Sequence, residues 1–220
     1  MAENILDILK KYNSTAVIFD LDGTILDNNA FHLKSWKEYL RRINREMSDE
    51  EYNKNINGRT NRDVVKYLYG SNLSEEDIWK YTNEKEALYR EMYKPYIKPV
   101  DGLIDLLKLL YHHNIPMGIA TSGIQVNIDF MFEHVPIKQY FRTVVDSSFI
   151  TKGKPDPEIF IKTANYLGVS PEKCLVFEDA VVGIKSGKAA GMKVIAVATT
   201  HPKEELEIAD LIINDYSELI

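Results

Sequence analysis

A chain of 220 residues with a 45% apolar share can bury one sizeable core and still carry a smaller insert. Its net charge of −6, with no run of Lys or Arg, argues against a protein that grips a nucleic-acid backbone. The single cysteine, Cys174, excludes an internal disulfide. No apolar stretch approaches the ~18 residues of a membrane span, and the first seven residues lack a basic start followed by a long apolar run. The chain therefore reads as cytoplasmic, with no membrane contact.

The first strong element is the apolar run Ala16–Phe19, which stops at Asp20-Leu21-Asp22-Gly23-Thr24. A run of this kind reads as a strand buried on both faces, and the glycine as the turn that leaves it. Because the chain is leaving the strand, Asp20 and Asp22 can both converge just beyond its end. Two carboxylates that close require a cation or a shared proton. A calcium-binding helix–loop–helix does not fit, because its loop wants Gly sixth and Glu twelfth; counted from Asp20, Gly23 is fourth and Phe31 twelfth.

From 28 to 98 no buried strand is predicted, only polar-rich helical patterns over 31–42, Asn61–Tyr69 and Glu75–Tyr93. Leu33, Trp36, Tyr39 and Leu40 form one helical stripe. Pro95 and Pro99 suit a stiff connection back to the sheet. This segment carries 14 Lys and Arg against 12 Asp and Glu, while the remainder carries 13 against 21. A slightly basic insert therefore stands against an acidic body. An all-helical insert directly after a first strand is expected to cap a site at the strand ends, which divides the chain into a core of 1–27 with 99–220 and an inserted cap of 28–98.

Beyond residue 98 the strand-like runs are Met117–Ala120, Thr143–Val145, 175–177, 194–198 and Leu211–Ile213. Cys174 opens the third of these as a small core hydrophobe. Helical patterns alternate with them: Leu103, Leu106, Leu107 and Leu110 share one face, with Asn114 as the stop. Asp156-Pro157 is expected to cap a further helix, with Pro157 at its first position and Gly168 ending it. The alternation predicts an α/β fold, a Rossmann-like, doubly wound, mostly parallel sheet carrying the all-helical cap.

Ligands of such sheets sit beyond the carboxyl ends of the strands. The residues at those ends are Asp20 and Asp22, then Thr121-Ser122-Gly123, then Gly153-Lys154-Pro155, then Glu178-Asp179. Each has an ordinary reading as a turn, a helix cap or a solvated lysine; their coincidence at one rim points to chemistry. Acidic groups from two strands bind a hard cation such as magnesium. A lysine and hydroxyls neutralise and hold phosphate oxygens, and one carboxylate can attack phosphorus while another moves the proton.

Together these residues resemble the haloacid-dehalogenase superfamily over the whole chain. The resemblance implies Asp20 as nucleophile, Asp22 as general acid/base, Thr121 as the phosphate-binding hydroxyl and Lys154 as the charge-stabilising lysine. It further implies Mg2+ held by Asp20, Glu178, Asp179 and the backbone carbonyl of Asp22. Within the superfamily the chain looks like the β-phosphoglucomutase-like branch. His32, Trp36 and Gly58 fall where that branch places cap and hinge residues, and Lys85 with Tyr89 resembles its cap lysine motif. Arg59, Arg62, Lys85, Ser122 and Gly123 complete the expected substrate contacts.

One departure stands out. Mutases of the branch look like Lys-Gly-x-Ser-Arg in the cap loop, where this chain has Asn57-Gly58-Arg59-Thr60-Asn61-Arg62. The expectation is a magnesium-dependent phosphatase of a small phosphorylated metabolite, a sugar phosphate, acting as a monomer through an aspartyl-phosphate. Two other readings stay open: a β-phosphoglucomutase and a non-catalytic phosphosugar-binding protein.

Overall fold

The computed structural model describes residues 4–220; Met1–Glu3, part of the stretch read as lacking a leader, lie outside the described residues. Six strands form one parallel sheet: β1 (Ala16–Phe19), β2 (Met117–Ala120), β3 (Thr143–Val145), β4 (Cys174–Glu178), β5 (Lys193–Val197) and β6 (Leu211–Ile213). Their order is β3-β2-β1-β4-β5-β6. The winding reverses between β1 and β4, the place where open α/β sheets leave a crevice for ligands.

Period-two alternation sorts the strand side chains onto two faces. Val17, Phe19, Ile119, Leu175, Phe177 and Ile195 face one core, where α1 (Ile5–Lys11), α6 (Leu103–His112) and α7 (Gln125–His134) cover the sheet. Ala16, Ile18, Cys174, Val176, Val194 and Ala196 face the other, beneath α8 (Glu158–Leu167) and α9 (Val181–Ala189). The predicted stops hold: Gly168 closes α8 in the left-handed region at φ 71°, and Asn114 follows α6 at φ 58°. One cap differs. Pro157 precedes α8 as its N-cap, and the Asp156 carboxylate accepts from the Glu158 amide at 3.0 Å.

Between β1 and α6 the chain builds four helices: α2 (Asn29–Arg42), α3 (Asp49–Asn55), α4 (Asn61–Tyr69) and α5 (Glu75–Tyr93). The short α3 has no apolar stripe to announce it. Ser48, Thr60 and Ser74 cap α3, α4 and α5, each hydroxyl accepting from the amide three residues on. These helices enclose a separate apolar cluster of Trp36, Tyr39, Leu40, Met47, Tyr52, Ile56, Val64 and Leu88. Where the segment leaves and rejoins the core, Leu26 bridges Pro99, so entry and exit lie side by side. Tyr89 and Tyr93, on the last turns of α5, pack into the larger sheet core. No helix among the described residues is long and apolar enough to cross a membrane.

Candidate active site

The parallel register sets the site. Phe19 pairs with Phe177, and the Asp20 amide donates to the Phe177 carbonyl at 3.0 Å, so Asp20 stands level with Glu178. Strand β4 runs one residue further than expected, so Glu178 is its last residue and Asp179 the first beyond it. Asp20, Glu178 and Asp179 each bring a carboxylate oxygen into one group within 4.8 Å, all three buried.

Lys154 reaches this group from the loop after β3. Its ammonium donates to Asp20 Oδ1 at 2.6 Å and to Glu178 Oε1 at 2.5 Å. The other Glu178 oxygen accepts from the amides of Asp179 and Ala180 at 3.0 and 3.1 Å. Asn29 donates to Asp179 Oδ2 at 2.8 Å. Two glycines make room: a Cβ on Gly183 would lie 1.8 Å from Glu178 Oε1, and one on Gly23, at φ 76°, would lie 2.1 Å from Asp179 Oδ2.

Three buried carboxylates therefore share one ammonium, which pairs with Asp20 and Glu178. Burial pushes the Asp20 carboxyl well above its usual range; Lys154 opposes this, while Glu178, Asp179 and Asp22 add to it. Burial and the neighbouring Glu178 push Asp179 up to about 8. A hard divalent cation would relieve that crowding, and three carboxylate oxygens are the donor set such a cation takes. The residues present fit magnesium.

Asp22 faces the same cavity but meets different partners. Its Oδ1 accepts from Asn28 Nδ2 at 2.6 Å, and His32 Nε2 stands 3.3 Å from the same oxygen, off the hydrogen-bond line. Burial alone would raise the Asp22 carboxyl, yet the Nε2–H of His32, the Asn28 amide and the Lys85 ammonium outweigh it and hold the group below the usual range. Asn28 fixes the turn as well, accepting from the Gly23 amide at 2.9 Å and donating to the Tyr89 hydroxyl at 2.6 Å.

Histidine 32 is buried, not the helix-surface residue that its spacing permits. Its ring stacks on Tyr89 with centroids 3.8 Å apart, and Nδ1 lies 2.9 Å from the Lys85 ammonium. An ammonium only donates, so Nδ1 accepts and the proton sits on Nε2, facing the cavity. Lys85 also pairs with Glu86 at 2.9 Å and lies over the Trp36 ring at 4.9 Å from its centroid. Glu86 accepts in turn from Asn127 Nδ2 at 2.7 Å, and the Asn127 carbonyl accepts from Arg90 at 2.7 Å. This chain ties α5 to α7.

One cavity collects most of the residues expected from the sequence: Asp20, Asp22, His32, Trp36, Gly58, Arg59, Lys85, Ser122, Gly123, Lys154, Glu178 and Asp179 line it. Thr121 is buried at the end of β2, its hydroxyl accepting from the Gly123 amide at 2.9 Å. The Ser122 hydroxyl has no hydrogen-bond partner among the described residues. Arg62 stands apart, absent from this lining. It pairs with Glu75 and borders a second cleft with Lys66 and Trp79. Thr60 uses its hydroxyl to cap α4 and to donate to Asp63 at 2.7 Å.

Sequence reading missed Asn29, Asn57, Asn61, Glu86 and Asn127, all of which line the cavity. For Glu86 a signal existed: Thr82, Glu86, Tyr89 and Tyr93 are buried along one face of α5 at helical spacing. The free space is about 70 Å³, below the ~300–1,000 Å³ of small-molecule sites. Gly58 presses on α9, where a Cβ would lie 2.5 Å from Val182 Cγ2, and Asn57 reaches His201 at 3.2 Å.

Comparisons with known proteins bear on this site. A family model described as haloacid dehalogenase-like hydrolase matches residues 17–197. Fructose-1-phosphate phosphatase YqaB of Escherichia coli is 32% identical over 181 residues, 82% of this chain and 95% of that protein. Beta-phosphoglucomutase of Bacillus subtilis is 34% identical over 214 residues, 93% and 91% of the two chains. A crystal structure of a HAD hydrolase of family IA, variant 3, from Entamoeba histolytica superposes with a TM-score of 0.83. It is 37% identical, and the match covers 93% of this chain and 95% of that one.

Proposed function

Because the chain belongs to the haloacid dehalogenase-like hydrolases, in their β-phosphoglucomutase-like branch, we propose that it is a magnesium-dependent phosphatase of a small sugar phosphate. The observation that carries this reading is the pair of aspartates two residues apart in one cavity with divergent surroundings. Asp20 sits among carboxylates under Lys154, and Asp22 is held by Asn28 beside His32. Two carboxyls driven apart in this way suit two roles. The phosphatase related to this chain is named for fructose 1-phosphate, which supports a sugar phosphate as the ester.

In this mechanism Asp20 attacks phosphorus and the ester P–O bond breaks. Asp22 gives its proton to the departing oxygen, leaving an aspartyl-phosphate and a free alcohol. Water then attacks phosphorus, Asp22 takes its proton, and inorganic phosphate leaves with Asp20 restored. Asp22 as it stands favours the ionised form that the second half needs; a phosphate dianion beside it raises it towards the protonated form that the first half needs. Lys154, the Thr121 hydroxyl and the amides of the 121–123 turn take the phosphate oxygens. Asp20, Glu178, Asp179 and the Asp22 carbonyl would hold magnesium, which supplies positive charge to the transferring phosphoryl group. The helices between 28 and 98 act as the cap, which must part to admit the ester, and His32, Trp36, Gly58, Arg59 and Lys85 meet the leaving group.

A mutase reading has the similarity to the Bacillus enzyme in its favour. It requires a second grip on a distal phosphate. Arg62 is spent on Glu75, Thr60 on its helix cap and Lys85 on His32 and Glu86. That leaves Arg59, exposed at the mouth, as the helical segment's one cation lining the cavity without a carboxylate partner among the described residues. Hydrolysis is the better fit. Incubation with β-glucose 1-phosphate, glucose 6-phosphate and fructose 1-phosphate, with magnesium and a trace of glucose 1,6-bisphosphate, tests it. Release of inorganic phosphate is expected. Rapid formation of glucose 6-phosphate with negligible phosphate release would establish the mutase instead.

A further inference from the structure

One buried carboxylate lining the cavity takes no part in the hydrolytic steps. Glu86, on α5, is 2% exposed and faces the same space as Asp22 and His32. A charged carboxylate so placed is costly unless it is paired and its lone pairs are used. Lys85 and Asn127 occupy one lone pair on each of its oxygens. An ionised carboxylate accepts about four hydrogen bonds, so about two acceptor positions remain.

Its partner has no such reserve. Lys85, 1% exposed, donates to His32 and Glu86, and its remaining side lies over the ring faces of Trp36 and Tyr89. The ammonium neutralises Glu86 but offers an incoming group nothing free. The nearby donor is His32 Nε2, which carries a proton, is buried and, 3.3 Å from Asp22 Oδ1 but off the hydrogen-bond line, has no hydrogen-bond partner among the described residues. A leaving group entering here meets one open donor and the spare lone pairs of a carboxylate. A hydroxyl can satisfy both, since it donates and accepts. A second phosphate or a carboxylate can only accept, and it would bring a negative charge against Glu86.

We propose that Glu86 is the residue that sets leaving-group specificity, admitting a neutral polyhydroxylated group and rejecting one with a second negative charge. This rests on the phosphatase reading of the same site. Arg59 does not cancel the effect, because it is exposed at the mouth, where solvent and salt screen its attraction.

A matched pair of esters isolates the charge. Glucitol 6-phosphate and 6-phosphogluconate are both open chains that differ only at the distal carbon, a hydroxymethyl group in the first and a carboxylate in the second. Wild-type kcat/KM is expected to favour glucitol 6-phosphate by about 3- to 10-fold, because Lys85 offsets part of the Glu86 charge. In Glu86→Gln, which keeps the shape and removes the charge, that ratio should fall about tenfold or more, the order for unit charges ~6 Å apart at an effective dielectric of ~20, whatever the absolute rate. Asn127→Ala, which removes the tie to α7 but leaves the charge, should keep the wild-type ratio. A wild-type ratio near one overturns the proposal even if Glu86→Gln does not fold. So does an unchanged ratio in a folded Glu86→Gln, or a ratio that collapses equally in Asn127→Ala. Phosphate release from neither ester, nor from p-nitrophenyl phosphate, overturns the phosphatase reading and this proposal with it; release from the aryl ester with no preference in the pair overturns the proposal alone.

Discussion

Two groups of buried charge share one cavity, and they are balanced differently. At the sheet edge Asp20, Glu178 and Asp179 crowd together and Lys154 pairs with the first two, so negative charge exceeds positive. On the helical side Lys85 and Glu86 match one for one, and His32 and Asn127 bond to that pair. Excess buried negative charge is relieved by a cation, whereas a matched pair asks only for a neutral group that hydrogen-bonds. The first arrangement suits phosphoryl chemistry and the second suits recognition of what the phosphate is attached to.

The largest effect should come from the sheet edge. Asp20→Asn keeps shape but replaces the attacking carboxylate with an amide, a very poor nucleophile, so turnover should fall by about 10⁴-fold or more. Appreciable phosphate release from this variant in a steady-state assay would break the assignment. Asp22→Asn should cost about 10²–10⁴-fold, the range for loss of a general acid/base. Its first half-reaction should be the slow step for poor leaving groups, and rapid-quench trapping of a phosphorylated Asp22→Asn enzyme would separate the two roles.

Gly183→Ala tests whether the crowding at the sheet edge is built by backbone. The helix would gain ~1 kcal/mol in propensity, but the methyl would strike Glu178 and overpacking costs ~1–3 kcal/mol. Stability should therefore change little or fall modestly in a urea titration, while activity falls more than stability, because Glu178 and Lys154 are displaced together. Full activity would show that Glu178 can move without consequence.

Magnesium should act on stability in a way that depends on pH. The Asp179 carboxyl, raised from an ordinary 3.8 to about 8, holds its proton more tightly in the folded protein. The fold therefore loses stability as pH climbs from the unfolded value through about 8. A cation binds the deprotonated form and offsets that loss. The rise in Tm on adding magnesium should be greater at pH 8.5 than at pH 5, read by thermal melts with and without chelator. An equal or smaller rise at pH 8.5 would remove Asp179 from the metal site.

The smallest effect is expected on the helical side. Arg62→Ala removes an exposed pair with Glu75, worth within ~1 kcal/mol, and should leave KM for sugar phosphates unchanged. A marked rise in KM would restore Arg62 to the substrate contacts that its sequence position suggested.

Legibility in the sequence tracks the same division. Asp20, Lys154, Glu178 and Asp179 were readable because parallel strands announce themselves as short apolar runs, and ligands collect where such runs end. Local pattern and the rule of strand ends sufficed. Sequence also determined the helical character of 31–42, 61–69 and 75–93, since helical periodicity needs no partner to be seen; α3, without an apolar stripe, was not legible in this way. What only the tertiary structure decided was how these helices lie on the sheet. Arg59 and Arg62 are three residues apart, yet one lines the cavity and the other turns to Glu75. Glu86 and Asn127 are 41 residues apart and meet because α5 packs on α7. His32 became buried because Tyr89 stacks on its ring. No local signal distinguishes a polar residue on a solvated helix face from one pressed against another element. The difference is made by packing between helices, and that is a property of the folded whole.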